Sequence, residues 1–397
     1  MIKFDFNTMV DSFIDKDNFN SLMSRKDEVY SKFKDAYMTG WTKPIEVDEL
    51  NEILRVRDEV LDHSECLVVI GIGGSFLGSY AVEKMLSPYF NNYNFEVIYA
   101  GTTLSSKYMS ELLDYLRDKD FSINVISKSG TTMETTITYK LLKGLLEEKY
   151  SGEDLVKRII VTTDAVKGSL REEVNKIGYP SFVIPDDVGG RYSIMTAAHL
   201  FPLSFNIELE DFLNGYYSGE DLREDAFKYA ATRVALYNSG KVVENYVTYE
   251  ENMYYFTEWL KQLYGESEGK EGVGIFPVST VHTRDLHSLG QFIQEGNKII
   301  FETFMKVENS DEVIYNGKNL HDVNNIVLDS VRSAHKLGEV PSLEICLERV
   351  DEATIGQLMY FYMLGAAFSG FLFNIDPFNQ PGVEVYKKEV RENLGVL

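Results

Sequence analysis

The sequence predicts an α/β protein made of two domains, each built on a parallel sheet flanked by helices. Three features of the 397-residue chain carry this prediction. Short apolar segments alternate with longer helical ones, which is typical of parallel strands joined by right-handed crossovers. A charged helical stretch interrupts the alternation near the middle of the chain. Turns rich in glycine or hydroxyl residues follow several strands, and sheets of this kind bind ligands at the carboxyl ends of their strands.

The first half of the chain alternates regularly. The apolar run at 67–70 (LVVI) predicts a strand, and a glycine-rich turn at 71–78 leads from it into a helix that continues to Leu86. The same pattern predicts further strands at 95–99, 122–126, 158–162 and 181–184, and helices at 134–148 and 168–177.

The second half resumes the alternation after the charged helical stretch at 206–241. Strands are predicted at 246–249, 274–278, 299–307 and 342–347, and helices at 253–264, 321–336 and 352–373. With a division near residue 210, the predicted organisation is an N-terminal helical arm (1–50), two α/β domains (51–210 and 211–376) and a C-terminal helical segment (377–397).

Composition excludes several classes of partner. The chain has 39 Lys and Arg against 62 Asp and Glu, a formal charge of −23. Such an acidic chain is not built to bind nucleic acid or an anionic membrane through bulk electrostatics. Cys66 and Cys346 form neither a metal spacing nor a disulfide framework, and the first residues lack the basic and apolar regions of a secretory signal. We therefore expect a cytoplasmic protein with no nucleic-acid or membrane partner.

One uncharged segment, 355–373, nearly reaches membrane-spanning length. Its N-terminal flank is acidic, with Glu348, Asp351 and Glu352, and no other segment resembles it. We therefore predict a buried helix in a large α/β core.

Two strand-to-helix turns have the composition of anion sites, because free amides at a helix N-terminus and nearby hydroxyl groups donate to an anion. The turn at 71–78 (GIGGSFLG) is neither a dinucleotide fingerprint nor a P-loop, and a tight structural turn explains it as well. The turn at 127–135 (SKSGTTMET) has five hydroxyl residues. Thr131 or Thr132 with Glu134 resembles a capping box, but a cap needs only one or two such residues, so we favour a phosphate cradle.

Four further segments contribute charged or acid–base candidates. Arg191 stands in a constrained glycine turn and can stabilise an oxyanion or bind a phosphate. Glu266 is predicted at a helix end, where the dipole disfavours an acid, and His287 precedes a short apolar helix. Taken singly, each residue also has a simpler explanation: Arg191 as a surface ion pair, Glu266 as a solvent-exposed glutamate and His287 as a structural histidine. The segments are 188–193 (VGGRYS), 262–270 (QLYGESEGK), 283–296 (TRDLHSLGQFIQEG) and 378–387 (FNQPGVEVYK), the last being equally an amphipathic helix.

Together and in this order, the motifs resemble those of the glucose-6-phosphate isomerase (phosphoglucose isomerase) family in its compact bacterial form. The matching patterns are GIGGSxLG, SKSGTTxET, GGRYS, GESEGK, DLHSLGQxIQEG and NQPGVExxK, and they extend from about residue 67 to residue 387. The resemblance implies two sugar-isomerase (SIS) type domains of three αβα layers. It also implies a homodimer with a shared active site, in which the histidine reaches the neighbour's site, and no cofactor or metal ion.

The resemblance also implies the site residues. Those that match the family's catalytic positions are Glu266, His287, Lys387 and Arg191. Those that match its phosphate and substrate contacts are Gly74, Ser75, Ser127, Lys128, Ser129, Thr132, Gln262 and Gln380. Glu295 and His335 match no catalytic position.

The implied activity is the reversible isomerisation of glucose 6-phosphate and fructose 6-phosphate through a cis-enediol(ate), in glycolysis and gluconeogenesis. Glu266 moves the proton between C2 and C1, His287 with Lys387 serves ring opening, and Arg191 stabilises the intermediate. Two features depart from the family pattern. The region between His287 and Lys387 is shorter, and His199 stands where the pattern usually has glycine.

Two other functions are compatible with the same motifs. One is an isomerase of a related hexose phosphate such as mannose 6-phosphate, because pocket shape decides that choice. The other is a non-catalytic sugar-phosphate sensor, which needs the phosphate hydroxyls but not Glu266, His287 and Lys387. All three are present, which favours an enzyme.

Overall fold

The computed structural model of the chain describes residues 2–90 and 94–394. Its strands are β1 (Lys3–Asp5), β2 (Cys66–Ile70), β3 (Glu96–Ala100), β4 (Phe121–Ile126), β5 (Ile159–Thr163), β6 (Ser181–Val183), β7 (Val243–Thr248), β8 (Phe276–Val281), β9 (Ile300–Val307), β10 (Ile314–Tyr315), β11 (Lys318–Asn319) and β12 (Ser342–Leu347).

The α-helices cover both halves of the chain. They are α1 (Lys16–Ser24), α2 (Lys26–Asp35), α3 (Val47–His63), α4 (Leu77–Leu86), α5 (Ser106–Arg117), α6 (Met133–Lys149), α7 (Glu153–Val156), α8 (Ser169–Ile177), α9 (Ala197–Leu203), α10 (Leu209–Ser218), α11 (Arg223–Asn238), α12 (Tyr254–Glu268), α13 (Gly290–Glu295), α14 (Leu320–Leu337), α15 (Glu352–Leu372) and α16 (Val383–Leu394). Short 3-10 helices lie at Gly40–Thr42, Gly73–Ser75, Gly190–Tyr192, Gly219–Leu222, Glu251–Met253 and Arg284–His287.

The chain forms two compact units. The first unit is Tyr37–Leu213, and the second unit combines Met1–Ala36 with Asn214–Leu397. The division falls inside α10, close to the predicted boundary at residue 210. The first 36 residues belong with the C-terminal half, whereas the sequence predicts a separate helical arm over 1–50. The last three residues of the predicted C-terminal segment lie outside the described part of the chain.

The first unit is a parallel sheet in the order β3-β2-β4-β5-β6. Every residue of β2, β4 and β5 is buried, because helices cover both faces of a parallel sheet. β2 and β4 are neighbours, with Ile70 beside Val125. The turns that follow these two strands therefore emerge at the same edge of the sheet.

The second unit has a sheet in the order β1-β12-β9-β7-β8. Strands β12, β9, β7 and β8 are parallel, as predicted. β1 was not predicted, because Lys3–Asp5 is too short to show a period. It pairs antiparallel with β12 at the sheet edge, with Phe4 opposite Ile345, and this pairing explains why the N-terminus belongs to the second unit.

The apolar segment 355–373 lies in α15, which is a core helix as predicted. α15 is long and apolar enough to cross a membrane by length and composition, but 89% of its apolar window is buried. Asp351 begins the helix by accepting a hydrogen bond from the Thr354 amide, a normal N-cap.

Candidate active site

The first glycine-rich turn forms the 3-10 helix Gly73–Ser75 between β2 and α4. Gly73 has a φ of 56°, a conformation that favours glycine. At Gly74, a Cβ atom would overlap the backbone of Gly190. The turn at 71–78 is therefore packed directly against the turn that precedes Arg191, and only glycine allows this approach.

The hydroxyl-rich turn after β4 is organised by its own side chains. Ser127 is buried, and its Oγ accepts from the Gly130 amide at 3.1 Å while Thr163 Oγ1 donates to its carbonyl at 2.7 Å. Ser129 Oγ lies 3.2 Å from the Thr131 amide and 3.0 Å from Thr131 Oγ1. These contacts fix the backbone of the turn ahead of α6.

The capping alternative does not account for this turn. Thr132 is the N-cap of α6, but its side chain makes no capping hydrogen bond. Glu134 is then the second helical residue, one position short of the capping-box geometry. The first amides of α6 have no acceptor within the helix, so Thr132 and this helix end are available to an anion.

Lys128 differs from the other predicted phosphate ligands. Its Nζ donates to the Pro185 carbonyl at 2.9 Å and lies 3.3 Å from the Asp186 carboxylate. The side chain is thus directed toward 185–186. The donors at this turn are consequently mostly neutral hydroxyls and amides.

Arg191 is not a surface residue. It lies in the 3-10 helix Gly190–Tyr192 and is 3% exposed. Its guanidinium carbon is 5.5 Å from the Tyr192 ring centroid, and that ring stacks on Trp41. A buried cation in a rigid turn fits a binding or charge-stabilising role better than the surface ion pair that the sequence left open.

The second unit places Gln262 and Glu266 one turn apart on α12. Gln262 Nε2 donates to Glu266 Oε1 at 3.3 Å, and both side chains are half-buried. The predicted helix ends near Tyr264, but α12 continues to Glu268, so Glu266 lies inside its last turn. A glutamate held by a neighbouring amide is oriented for proton transfer while it stays accessible.

Lys270 connects the Glu266 motif to the C-terminal motif. Its Nζ donates to the Asp376 carbonyl at 2.7 Å, to the Asn379 carbonyl at 2.5 Å and to Asn379 Oδ1 at 3.0 Å. Sequence reasoning gave this lysine no role. The contact sets the position of the exposed Gln380, which is the next residue.

Replacing Lys270 with methionine is expected to lower kcat/KM by about ten- to a hundredfold, because charge-assisted hydrogen bonds contribute about 1.5–3 kcal/mol. Steady-state kinetics of the variant measure this effect. Lys261→Met is the matched control, since Lys261 lies on the same helix and pairs with Glu258. Equal kcat/KM for Lys270→Met and the control would contradict the positioning role of Lys270.

His287 and Lys387 lie on exposed parts of the second unit. His287 ends the 3-10 helix Arg284–His287 after β8, where Asp285 Oδ2 accepts from the Val281 amide at 2.7 Å. Lys387 lies on α16, and its Nζ is 2.9 Å from Glu384 Oε1. The structure therefore brings Gln262 together with Glu266, whereas His287 and Lys387 stand on separate surface elements.

The structure contains a buried polar network close to Glu266 that the sequence did not predict. Arg233, Glu244 and Glu268 have fully buried side chains. Arg233 Nε donates to Glu244 at 2.7 Å, and its other nitrogens donate to Glu268. Tyr229 and Thr303 also donate to Glu244. Because Glu268 belongs to α12, this network fixes the helix end that presents Glu266.

The two residues that match no catalytic position lie elsewhere in the second unit. His335 is buried, with Nδ1 2.7 Å from Glu302 Oε2, and Glu295 is exposed on α13. Across residues 2–90 and 94–394, no group of three or more His, Cys, Asp or Glu side chains is placed to bind a metal ion.

Solved structures with the same architecture define the class. A hypothetical protein from Thermus thermophilus superposes with a TM-score of 0.88 over 100% of both chains at 26% identity. A glucose-6-phosphate isomerase from Chlamydia trachomatis gives 0.76 over 87% of this chain and 73% of that one, at 22% identity. The protein is therefore a two-unit α/β protein of the SIS-type fold, as predicted.

Sequence comparison identifies the family. The phosphoglucose isomerase profile matches residues 60–329. Glucose-6-phosphate isomerases of Staphylococcus haemolyticus and Staphylococcus epidermidis are 44% and 43% identical over 383 residues, which is 90% of this chain and 86% of each relative. The chain belongs to the phosphoglucose isomerase family, and the predicted resemblance is confirmed.

Proposed function

We propose that this chain interconverts glucose 6-phosphate and fructose 6-phosphate in the cytoplasm, as a step of glycolysis and gluconeogenesis. The observation that carries the proposal is the extended match to glucose-6-phosphate isomerases in a chain that has Glu266, His287 and Lys387. A sensor of sugar phosphates needs none of these three residues.

The phosphate group would bind to Ser127, Ser129, Thr132 and the first amides of α6. Three observations support this assignment. The turn is fixed by internal hydrogen bonds, the Thr132 side chain makes no capping hydrogen bond, and the helix end is favourable for an anion. Lys128 would act at longer range, because its ammonium already contacts Pro185 and Asp186. Gly74 and Ser75, on the neighbouring turn, would contact the same substrate.

Proton transfer would use the second unit's side chains. His287, aided by Lys387, would give a proton to the ring oxygen as the ring opens. Glu266 would take the C2 proton, which forms the cis-enediolate, and return it to C1, while the hydroxyl proton on O2 moves to O1 and the C2 carbonyl of the ketose forms. Arg191, a permanent cation in a buried turn, would stabilise the enediolate oxygen. Gln262 and Gln380 would orient the sugar hydroxyls.

We also propose that the protein is a homodimer whose histidine serves the neighbouring active site. His287 is exposed. Two large apolar side chains close to it in sequence are also exposed to solvent, Leu289 at 46% and Phe292 at 50%. Burial of these side chains against a second copy would remove apolar surface from water. It would also place His287 against the second copy.

A coupled assay tests the proposed reaction. Purified protein is expected to convert fructose 6-phosphate to glucose 6-phosphate equally well with and without a metal chelator. Mannose 6-phosphate, assayed in parallel, tests the related-isomerase alternative. Absence of turnover on fructose 6-phosphate would overturn the proposal, and faster turnover of mannose 6-phosphate would reassign the substrate.

A further inference from the structure

His199 is the residue at which the resemblance implies a departure from the usual family pattern, and the structure shows what it contacts. It lies on α9 and is 1% exposed. Its ring contacts Gly74 in the turn at 71–78, Ser79 in α4 and Ser193 in the segment 188–193. Gly78 makes room for it, because a Cβ at that glycine would lie 3.1 Å from His199 Cε1. The histidine therefore packs directly against the turn at 71–78.

The hydrogen-bond partners of His199 assign its tautomer. Nδ1 lies 3.0 Å from the Ser79 amide nitrogen, and a backbone amide can only donate. Nε2 lies 2.7 Å from the Gly74 carbonyl oxygen, which can only accept. The ring is thus neutral, with its proton on Nε2. Burial lowers the pKa of His199 to about 4, which agrees with a neutral ring at physiological pH.

Ser193, in the segment 188–193, lies beside the same carbonyl group. Ser193 Oγ lies 3.0 Å from that carbonyl oxygen and 2.6 Å from the Gly190 carbonyl oxygen. It is also 3.0 Å from His199 Nε2. A hydroxyl group has one proton, and the nearer Gly190 carbonyl accepts it, so His199 Nε2–H is the principal side-chain donor to the Gly74 carbonyl. Half-buried Ser75 is the next residue of the turn.

We propose that His199 is a positioning residue for substrate binding: its Nε2–H group holds the Gly74 carbonyl inward and so presents Gly74 and Ser75 to the sugar phosphate. This inference rests on the proposed function and on the assignment of that turn as a substrate contact. A turn held in its binding conformation loses less conformational freedom when the ligand binds. Removal of the His199 hydrogen bond to Gly74 is therefore expected to raise KM rather than to lower kcat.

Two variants separate the two hydrogen bonds of the ring. In His199→Asn the side-chain oxygen can replace Nδ1 as acceptor from Ser79, but no atom of the shorter side chain reaches Gly74. In His199→Gln the side-chain amide can replace Nε2 as donor to Gly74. We expect His199→Asn to raise KM, and the inhibition constant of the non-reacting 6-phosphogluconate, about tenfold, as the loss of one buried hydrogen bond implies. We expect kcat to change less than about twofold, and His199→Gln to recover most of the affinity.

Thermal unfolding distinguishes this role from general destabilisation. Both variants remove one buried hydrogen bond and are expected to lower Tm similarly, whereas only His199→Asn is expected to weaken binding. Equal KM values for the two variants would overturn the inference. If His199→Asn does not fold, His199→Ser removes the Nε2 donor with a smaller polar side chain and is expected to raise KM in the same way, and an unchanged KM there would also overturn it.

Ser75→Ala separates failure of this inference from failure of the site assignment. A raised KM in Ser75→Ala with an unchanged KM in His199→Asn would overturn the role of His199 alone. An unchanged KM in Ser75→Ala would remove the turn from the substrate site, and the role of His199 would fall with it.

Discussion

Glu266→Gln is expected to abolish turnover while leaving the binding of a sugar phosphate intact. Glutamine keeps the size of the side chain and can still contact Gln262, but it cannot accept the C2 proton. Removal of a general base lowers the rate by a factor of about 10²–10⁴. Single-turnover kinetics, and the exchange of the C2 hydrogen with solvent, measure the chemical step, and calorimetry with 6-phosphogluconate measures binding.

Glu295→Gln is the matched control for this experiment. Glu295 lies on α13 and is exposed, and its carboxylate contacts only one neighbouring amide in the contacts described, that of Gln291 at 2.8 Å. We expect full activity from this variant. Full activity in Glu266→Gln would mean that another group is the base, and loss of binding together with turnover would mean that Glu266 is a substrate ligand first.

Arg233→Met is expected to destabilise the second unit by about 3–5 kcal/mol, the cost of breaking a buried ion pair. The guanidinium is fully buried between two carboxylates and lies 4.1 Å from the Tyr264 ring centroid. Without it, Glu244 and Glu268 would be buried without their cation. The free energy of unfolding in urea measures the loss.

Two further variants make this prediction specific. Arg349→Met removes an exposed cation 3.9 Å from Asp351 and is expected to cost less than about 1 kcal/mol. Adding Glu268→Gln to Arg233→Met is expected to recover part of the stability, because one uncompensated charge is removed. Similar losses in Arg233→Met and Arg349→Met would contradict the central role of the buried network.

The acidic composition is compatible with an anionic substrate because of how the proposed phosphate-binding turn at 127–135 is built. The net charge of −23 opposes bulk attraction of any anion. The proposed cradle uses Ser127, Ser129, Thr132 and helix amides, and its nearest lysine is already paired with Asp186. Short-range neutral donors bind one small anion without an electropositive surface.

The sequence by itself determined the α/β class and the family, and nearly all the strands and helices that it predicted are present in the structure. Buried parallel strands favour apolar and β-branched residues, so the continuous apolar run 67–70 and the segment 122–126, with Ile123, Val125 and Ile126, were evident from the sequence alone. The motif turns were evident because glycines and hydroxyl residues cluster directly after predicted strands, at the sheet edge where parallel sheets bind ligands. Strand β1 was missed because three residues show no period, and its pairing with β12 depends on residues more than 300 positions away.

Only the tertiary structure decided how the motif residues are supported. Arg233 lies in the charged helix α11 and Glu244 lies in strand β7. Nothing in the neighbouring sequence indicates that their side chains are buried. Lys128 faces Pro185, Lys270 holds Asn379, and His199 holds Gly74, across sequence separations of 57, 109 and 125 residues. A sequence shows which side chains can donate or accept, but long-range packing decides which partner each one meets.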